Sequence, residues 1–288
     1  MKKQFILFPL ISLAAALSAC GGGNNEKTIT FAASELPHAK ILEEAVAPIL
    51  KEKGYQTKIT VLEWSQQNAA VARGEYDANY FQHAPYLETY NKDASEAERL
   101  QLIVKAHFEK LCLYWSKENN KTLSNGESIE IVNDISNIER ALLLLKDNGV
   151  LSEISSSCYD ENGDFVEFDV NHPTSQVTFA KGFENCTITC IQESLLASSL
   201  GDYDFAVLPG NTALKGLGDD YAARIVFGEK VSDETLSLRA NGVAVRKENA
   251  QNEKSKAIVE AFGDDRVKDY IGRIFGESVI YHYEKLIG

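Results

Sequence analysis

The sequence predicts an α/β protein of two lobes, each a mostly parallel sheet flanked by helices. The chain has 288 residues, which is about the length of two ordinary domains. Segments with strand and helix character alternate along it, as is typical of βαβ units. A Gly-acid-Tyr-Asp pattern occurs twice, at 74–77 and 201–204, each time between a predicted helix and a predicted strand. This repetition indicates two lobes built on the same plan.

In the first half of the chain, β-branched and apolar alternation marks the strands, and apolar residues at helical spacing mark the helices. Strands are predicted at 28–33, 56–62, 77–81 and 100–106. Helices are predicted from His38 to the stop at Gly54, at 68–73 and at 85–91. Pro48 lies inside the first helical pattern, so a kink or an early stop is expected there.

The second half of the chain shows the same alternation of strands and helices less clearly. Strands are predicted at 128–132 and 204–208, a turn at 133–137, and helices at 138–146 and 192–200. Residues 152–190 are rich in Ser, Cys, Gly and Asn and show no clear period. The tail from Lys254 to Ile287 is predicted to be helical with polar faces.

The first twenty residues carry an export signal. Lys2 and Lys3 precede a short apolar stretch, and Leu17-Ser18-Ala19-Cys20 follows it. Such a stretch is too short to span a membrane and is typical of a secretory signal. The junction resembles the bacterial lipobox, which implies cleavage of a signal peptide at 1–19 and acylation of Cys20. The alternative is an ordinary signal peptide with a chance cysteine. Residues 20–26 then form a flexible polar tether, so the folded body sits on the extracytoplasmic face of the cell envelope, anchored to a membrane by lipid.

Composition excludes several functional classes. The formal charge is −13, so the basic surface needed to neutralise nucleic-acid phosphates is missing. No apolar run reaches the roughly 18 residues that a permanent transmembrane helix needs. The HExxH, GxSxG, Walker and GxGxxG motifs are also absent, which argues against an enzyme and against a bound cofactor.

Four cysteines remain in the body after Cys20. They are Cys112, Cys158, Cys186 and Cys190. An exported protein can form disulfides, and four cysteines allow three pairings between which the sequence does not choose. Cys186 and Cys190 could instead lie on one face of a strand. A zinc site is a weaker interpretation, because no CxxC pair is present.

Aromatic residues and a histidine are concentrated just past the third predicted strand, in Asn79-Tyr80-Phe81-Gln82-His83-Ala84-Pro85-Tyr86-Leu87. Ligands of open α/β sheets bind beyond the carboxyl ends of strands. The segment therefore predicts a pocket wall, with Trp64 contributing a further ring. Ordinary core packing of Phe81 and Tyr86 is the alternative.

Five segments, in order along the chain, resemble the methionine-binding lipoprotein family, the substrate receptors of methionine ABC importers. They are Pro37-His38-Ala39-Lys40-Ile41-Leu42, residues 78–87, residues 133–145, residues 206–214 and Ala240-Asn241-Gly242-Val243-Ala244-Val245-Arg246. The resemblance implies a two-lobed fold like that of type II periplasmic binding proteins, which clamps an amino acid in the cleft. It implies lobe one at 27–110 plus 245–288 and lobe two at 111–244, with crossings near Leu111–Trp115 and Arg239–Ala244.

The resemblance also implies roles for eight residues. Trp64, Phe81, His83 and Tyr86 would form an aromatic cage, which suits a thioether because sulfur–aromatic contacts are favourable. Arg140 would bind the ligand carboxylate with its planar fork. Asn211 and Asn241 would hydrogen-bond the ammonium and carboxylate, and Asn137 would contribute or only cap its helix.

Three departures from the family pattern bear on the ligand: Trp64 in place of Tyr, Pro209 in place of a polar residue, and Glu139 beside Arg140, for which it could compete. The predicted function is capture of methionine or a close analogue for the membrane subunits of an ABC importer. Open alternatives are another small amino acid or peptide, a receptor without a transport role, or a metal receptor using His38, His83, His107 and His172.

Overall fold

The structure is a computed structural model that describes residues 27–116, 122–218 and 220–288. The predicted signal peptide, Cys20 and the tether lie outside these ranges. Two main sheets dominate, and each has its own hydrophobic core. Within the described ranges, no helix combines the length and apolar character needed to cross a membrane.

The first sheet has six strands and forms the core of what we call lobe one. Strands are numbered in the order in which they occur along the whole chain. Those of the first sheet are β1 Thr28–Ala33, β2 Gln56–Val61, β3 Ala78–Gln82, β4 Leu100–Glu109, β12 Asn241–Arg246 and β13 Val279–Lys285. The order across the sheet is β13-β4-β12-β3-β1-β2. β1 pairs in parallel with β2 and with β3, and the remaining neighbouring pairs are antiparallel.

The second sheet has five strands and forms the core of what we call lobe two. Its strands are β5 Leu111–Trp115, β6 Ser128–Val132, β9 Thr187–Ile191, β10 Phe205–Pro209 and β11 Ile225–Gly228. They run in the order β11-β5-β10-β6-β9, with β10, β6 and β9 parallel and β5 antiparallel to both its neighbours. Both sheets are thus mixed, because β12 and β13 run opposite to the other strands of the first sheet and β5 runs opposite to the other strands of the second.

Nine α-helices flank the sheets in the described part of the chain. They are α1 Ala47–Glu52, α2 Trp64–Ala72, α3 Ala84–Asp93, α4 Ile135–Asp147, α5 Glu193–Ser199, α6 Gly210–Leu217, α7 Asp233–Arg239, α8 Glu253–Phe262 and α9 Asp265–Phe275. Pro48 does not end the first helix. It lies in the first turn of α1, and the π-helical turn Leu42–Val46 directly precedes it. Proline has no backbone N–H to donate, and the irregular hydrogen bonding of a π-helical turn tolerates the missing bond.

The repeated pattern noted in the sequence has the same structural role in both lobes. Asp77 precedes β3, and its Oδ2 accepts hydrogen bonds from the backbone and hydroxyl of Thr30 at 2.8 and 2.9 Å. Asp204 precedes β10, and its Oδ2 accepts the equivalent pair from Ser128 at 2.9 and 2.8 Å. Each aspartate therefore ties the start of one strand to a neighbouring parallel strand.

The chain crosses between the sheets at two short links. Lys110 alone separates β4 from β5, and Ala240 alone separates α7 from β12. β12 pairs with β3 and β4 of the first sheet, which does not favour the predicted lobe boundary between residues 244 and 245. That boundary would cut β12, and the crossing lies at Ala240.

The least regular part of the sequence and the tail also differ from expectation. Residues 151–179 contribute a separate two-stranded sheet of β7 Leu151–Ile154 and β8 Val177–Phe179. The tail is α-helical only through Phe275, and after a 3₁₀ turn at Gly276–Ser278 β13 pairs along β4. The four body cysteines are all free thiols in the structure.

Candidate ligand-binding site

A cavity of about 30 Å³ lies between the two lobes. The structure brings all eight residues predicted to bind a ligand to its wall: Trp64, Phe81, His83, Tyr86, Asn137, Arg140, Asn211 and Asn241. Five further residues line it: His38, Gln82, Glu109, Pro209 and Arg239. Both strand ends that follow the repeated Asp, those of β3 and β10, open onto this cavity.

One wall of the cavity is aromatic. The rings of Phe81 and Tyr86 meet edge to face with centroids 5.3 Å apart. His83 stands beside them, with its centroid 6.5 Å from that of Tyr86, and Trp64 begins α2 at the same wall. Because β3 ends and α3 begins within this segment, three rings are presented from one strand-to-helix turn.

His83 is neutral and is held on both sides. Burial, with the positive charges of Arg239 and Arg140 nearby, lowers the pKa of His83 to about 3. Its Nδ1 accepts the hydrogen bond of the Tyr86 backbone N–H at 3.2 Å, which caps α3. The other ring nitrogen therefore carries the proton and donates to Asn137 Oδ1 across the cleft at 3.2 Å.

The three asparagines predicted to bind the ligand already have partners. Asp134, not Asn137, caps α4, and Asn137 donates from Nδ2 to Asp134 at 2.9 Å. Asn211 Nδ2 donates to the Leu36 carbonyl oxygen in lobe one at 3.0 Å. Asn241 Nδ2 lies 3.0 Å from Glu109 Oε1. These amides thus join elements of the site to one another, and Asn137 and Asn211 do so across the cleft.

A carboxylate forms the floor of the cavity. Glu109, the last residue of β4, is 4% exposed. It accepts hydrogen bonds from the Asn241 amide at 3.0 Å and from the Asn211 backbone N–H at 3.2 Å. Burial raises the pKa of Glu109, and these donors act against that rise because they stabilise the carboxylate. Sequence reasoning missed this residue, since a single acid at a strand end has no distinctive signal.

Two buried histidines support this carboxylate. His107 Nε2 lies 3.1 Å from Glu109 Oε1, and its Nδ1 is hydrogen-bonded to the hydroxyl of Tyr80. Burial lowers the pKa of His107 to about 3, and burial together with His107 does the same for His38. Both rings are therefore neutral, and a Tyr80–His107–Glu109 chain follows, in which each O–H or N–H donates toward the carboxylate.

The four histidines that the sequence left open as an alternative metal site are not brought together. His38, His107 and Glu109 do offer donor atoms within 4.8 Å of one another. However, the Asn241 amide nitrogen lies 3.2 Å from His38 Nε2 and 3.0 Å from Glu109 Oε1, so a cation there would have to displace it. His83 belongs to the aromatic wall, and His172 lies 75% exposed beside Asp169.

Arg140 also lines the cavity and is 7% exposed. Its Nε donates to Glu229 Oε2 at 3.0 Å, and its Nη2 donates to the other oxygen of that carboxylate. Nη2 also donates to the Glu109 carbonyl oxygen at 2.8 Å. Glu229 therefore occupies the bidentate edge that was predicted for a ligand carboxylate, and Nη1 alone donates to no described residue.

A second arginine lies next to the first. Arg239 ends α7, is 8% exposed and lines the cavity. Glu139, which the sequence suggested as a competitor for Arg140, lies instead 3.7 Å from Arg239 Nη2. The competing carboxylate at Arg140 is Glu229, which stands 89 residues away along the chain. No local pattern in the sequence could have shown that contact.

Comparison with known proteins gives consistent matches. The sequence profile of the NlpA lipoprotein family matches residues 29–282. The methionine-binding lipoprotein MetQ of Bacillus subtilis (strain 168) is 30% identical over 286 residues, covering 97% of this chain and 98% of that one. A lipoprotein structure from Ruminococcus gnavus is 34% identical with a TM-score of 0.76, covering 89% of this chain and 99% of its own.

A nutrient binding protein from Burkholderia cenocepacia, solved bound to methionine, has a TM-score of 0.75 at 24% identity. It covers 88% of this chain and 99% of its own. At that identity, the likeness shows the fold alone. The fold predicted from the sequence, a two-lobed binding protein with the cleft between lobes, is confirmed.

Proposed function

The chain belongs to the NlpA lipoprotein family, and from that premise we propose that it captures methionine outside the cytoplasm and delivers it to an ABC importer. The observation that carries the proposal is the division of one cavity into an uncharged aromatic wall and a polar end with charges of both signs. An amino acid with an apolar, polarizable side chain matches that division, because its backbone end is a zwitterion and its side chain is apolar.

The aromatic wall suits a thioether. Phe81 and Tyr86 present an edge-to-face pair, and the lowered pKa of His83 leaves that ring neutral. Sulfur–aromatic contacts contribute about 0.3–1.5 kcal/mol each, and burying the side-chain methylenes adds about 0.8 kcal/mol per CH₂. Trp64, Phe81, His83 and Tyr86 together form the side-chain subsite.

The polar end suits the zwitterion. Glu109 offers carboxylate oxygens to the ligand ammonium, and its position is fixed by hydrogen bonds from Asn211 and Asn241. The Nη1 group of Arg140, which has no other acceptor among the described residues, is available to the ligand carboxylate. Charge-assisted hydrogen bonds of this kind are roughly twice as strong as neutral ones.

Binding is coupled to closure of the two lobes about the links at Lys110 and Ala240. We assign residues 27–109 and 241–288 to lobe one and residues 111–239 to lobe two. The cross-cleft hydrogen bonds from His83 to Asn137 and from Asn211 to Leu36 exist only when the lobes meet. A ligand held from both sides shifts the population toward this closed state by its higher affinity for it.

The lipid anchor belongs to the same proposal. Cleavage before Cys20 and acylation of its thiol would hold the protein at the membrane that contains the importer, and more than one acyl chain is needed for stable anchoring. Metabolic labelling with an alkyne fatty acid should label the wild type and not Cys20→Ser. Release of the Cys20→Ser protein into the soluble fraction is expected, and continued labelling of that variant would contradict the assignment.

Calorimetric titration tests the ligand. The purified protein is unfolded and refolded to remove bound ligand, and then titrated with L-methionine, D-methionine, a methionyl dipeptide, leucine and zinc. Sub-micromolar binding of methionine without a response to leucine is expected. Phe81→Leu should weaken that binding, whereas Phe165→Leu, at an aromatic residue of the lobe two core, should not. A folded protein that binds no form of methionine would refute the proposal.

A further inference from the structure

Arg239 is a buried cation with unused hydrogen-bonding capacity. It is 8% exposed and lines the cavity. A guanidinium carries five N–H donors, yet within the described ranges Arg239 makes a single hydrogen bond, from Nη1 to the Ser136 carbonyl oxygen at 3.3 Å. A buried charge normally has a partner at hydrogen-bond distance, because its desolvation is otherwise uncompensated.

The nearby carboxylates do not supply that partner. Glu139 is the sole described carboxylate within 4.0 Å of Arg239, and it lies 3.7 Å away with its side chain 27% exposed. Glu229 is committed to Arg140, whose Nε and Nη2 both donate to it. Burial, followed by the positive charge of Arg140, lowers the pKa of Arg239, and the carboxylates of Glu139, Glu229 and Asp134 offset only part of that shift.

Among the charged side chains around the cavity, one is left without a close partner of opposite charge. Arg140 is neutralised by Glu229, and Glu109 is available to a ligand ammonium. Arg239 is the cation that has no carboxylate at hydrogen-bond distance among the described residues, since Glu139 lies 3.7 Å from it. Asp134 and Glu229 act on it from beyond 4.0 Å, so they reduce the imbalance without satisfying its N–H groups.

We propose that Arg239 is the countercharge of the ligand carboxylate, with Arg140 contributing only its Nη1 hydrogen bond. The inference rests on the proposed function and deepens it, because it assigns the selection of a free carboxylate to a residue other than the one that the sequence predicts. Amides, esters and alcohols of the same amino acid are then discriminated against, since each would leave the buried Arg239 guanidinium without a hydrogen-bonded anion.

The location of Arg239 gives this contact a second consequence. Arg239 immediately precedes Ala240, the second crossing between the lobes, and its Nη1 reaches the first turn of α4 in lobe two. A carboxylate bound there links the ligand to the crossing segment and to α4 at once. Ligand binding and closure are thereby joined at one side chain.

The test compares ligands that differ only at the carboxylate. L-Methionine and L-methioninol, in which the carboxylate is replaced by CH₂OH, are titrated into the wild type, Arg239→Gln and Arg224→Gln. Arg224 is the matched control, because it is a largely buried arginine of lobe two that hydrogen-bonds the Ser116 carbonyl oxygen and does not line the cavity. Arg239→Lys is included as a variant that keeps the charge, and circular dichroism verifies folding.

We expect Arg239→Gln to weaken methionine binding roughly 10- to 150-fold, the range for loss of a hydrogen bond to a charged group, and to leave methioninol binding within about three-fold of wild type. Arg239→Lys should lose less, and Arg224→Gln should bind both ligands normally. If Arg239→Gln fails to fold, a loss confined to methionine in Arg239→Lys carries the same test.

Two results would overturn this inference and leave the proposed function standing. One is unchanged methionine binding by a folded Arg239 variant. The other is an equal loss for methionine and methioninol, which would indicate a purely structural role. Failure of the folded wild type to bind methionine would remove the proposed function and this inference with it. The wild-type titration therefore separates the two failures.

Discussion

Replacing Glu109 by glutamine should separate the charge of the cavity floor from its shape. The side chain keeps its size, but the glutamine would place an amide NH₂ where a carboxylate oxygen now accepts from the Asn211 N–H at 3.2 Å. One buried donor then faces another donor, which costs about 1–3 kcal/mol of folding free energy. The ligand ammonium also loses an ionic hydrogen bond of about 1.5–3 kcal/mol, or roughly a 10- to 150-fold rise in Kd.

The assay is calorimetric titration with methionine and with its 2-hydroxy analogue, which lacks the ammonium. The hydroxy analogue should bind wild type and Glu109→Gln about equally, because it has no charge for Glu109 to pair with. Glu130→Gln is the control: Glu130 is fully buried in β6 and does not line the cavity, so its change should leave both affinities intact. The reasoning is refuted if folded Glu109→Gln binds methionine within about three-fold of wild type, or loses both ligands equally.

Further predictions concern pH, packing and fluorescence. At the mouth of the closed cleft, burial and the nearby Glu63 raise the pKa of Glu193 to about 7, so closure favours the protonated carboxyl. Methionine affinity should therefore fall as the pH rises through about 7, and calorimetric titration at several pH values checks this. Glu193→Gln should remove that dependence of affinity on pH. A Cβ at Gly242 would lie 2.3 Å from a carbonyl oxygen of β4; Gly242→Ala should cost at least about 1–3 kcal/mol in urea unfolding, and an unchanged midpoint would contradict this packing. Methionine should alter tryptophan emission in Trp115→Phe and not in Trp64→Phe, because only Trp64 lines the cavity; the reverse result would place the ligand elsewhere.

Much of lobe one can be predicted from the sequence, because its strands follow local rules. β1 agrees with its predicted range, β2 ends one residue before its predicted end, and the strand-end segment at Phe81 and Tyr86 lies at the cavity as expected. The C-terminal strand β13 was missed, since alternating polar residues such as His282 and Glu284 resemble a polar helix face. Its pairing with β4 is a tertiary contact, which overrides local propensity.

Some residues of the candidate site could likewise be predicted from the sequence, and others could not. Residues within motifs, such as His83 and Arg140, could be located from the sequence, and the structure places them at one cavity. The residues that set its charge could not: Glu109 looks like any acid at a strand end, and Arg239 like any basic residue in the last turn of a helix. Their significance comes from burial and from Glu229, which reaches Arg140 from a distant segment.

The hydrogen bond from the Asn211 amide to the Leu36 carbonyl oxygen bears on how long a ligand stays bound. It joins the lobes without using a ligand atom, so it is absent while the ligand enters and must break before the ligand leaves. Its strength is therefore expected to set the residence time and hardly the association rate, the usual pattern for related complexes. A partner that separates the lobes would shorten that time by breaking a bond between two parts of the protein, with the ligand's own contacts still intact.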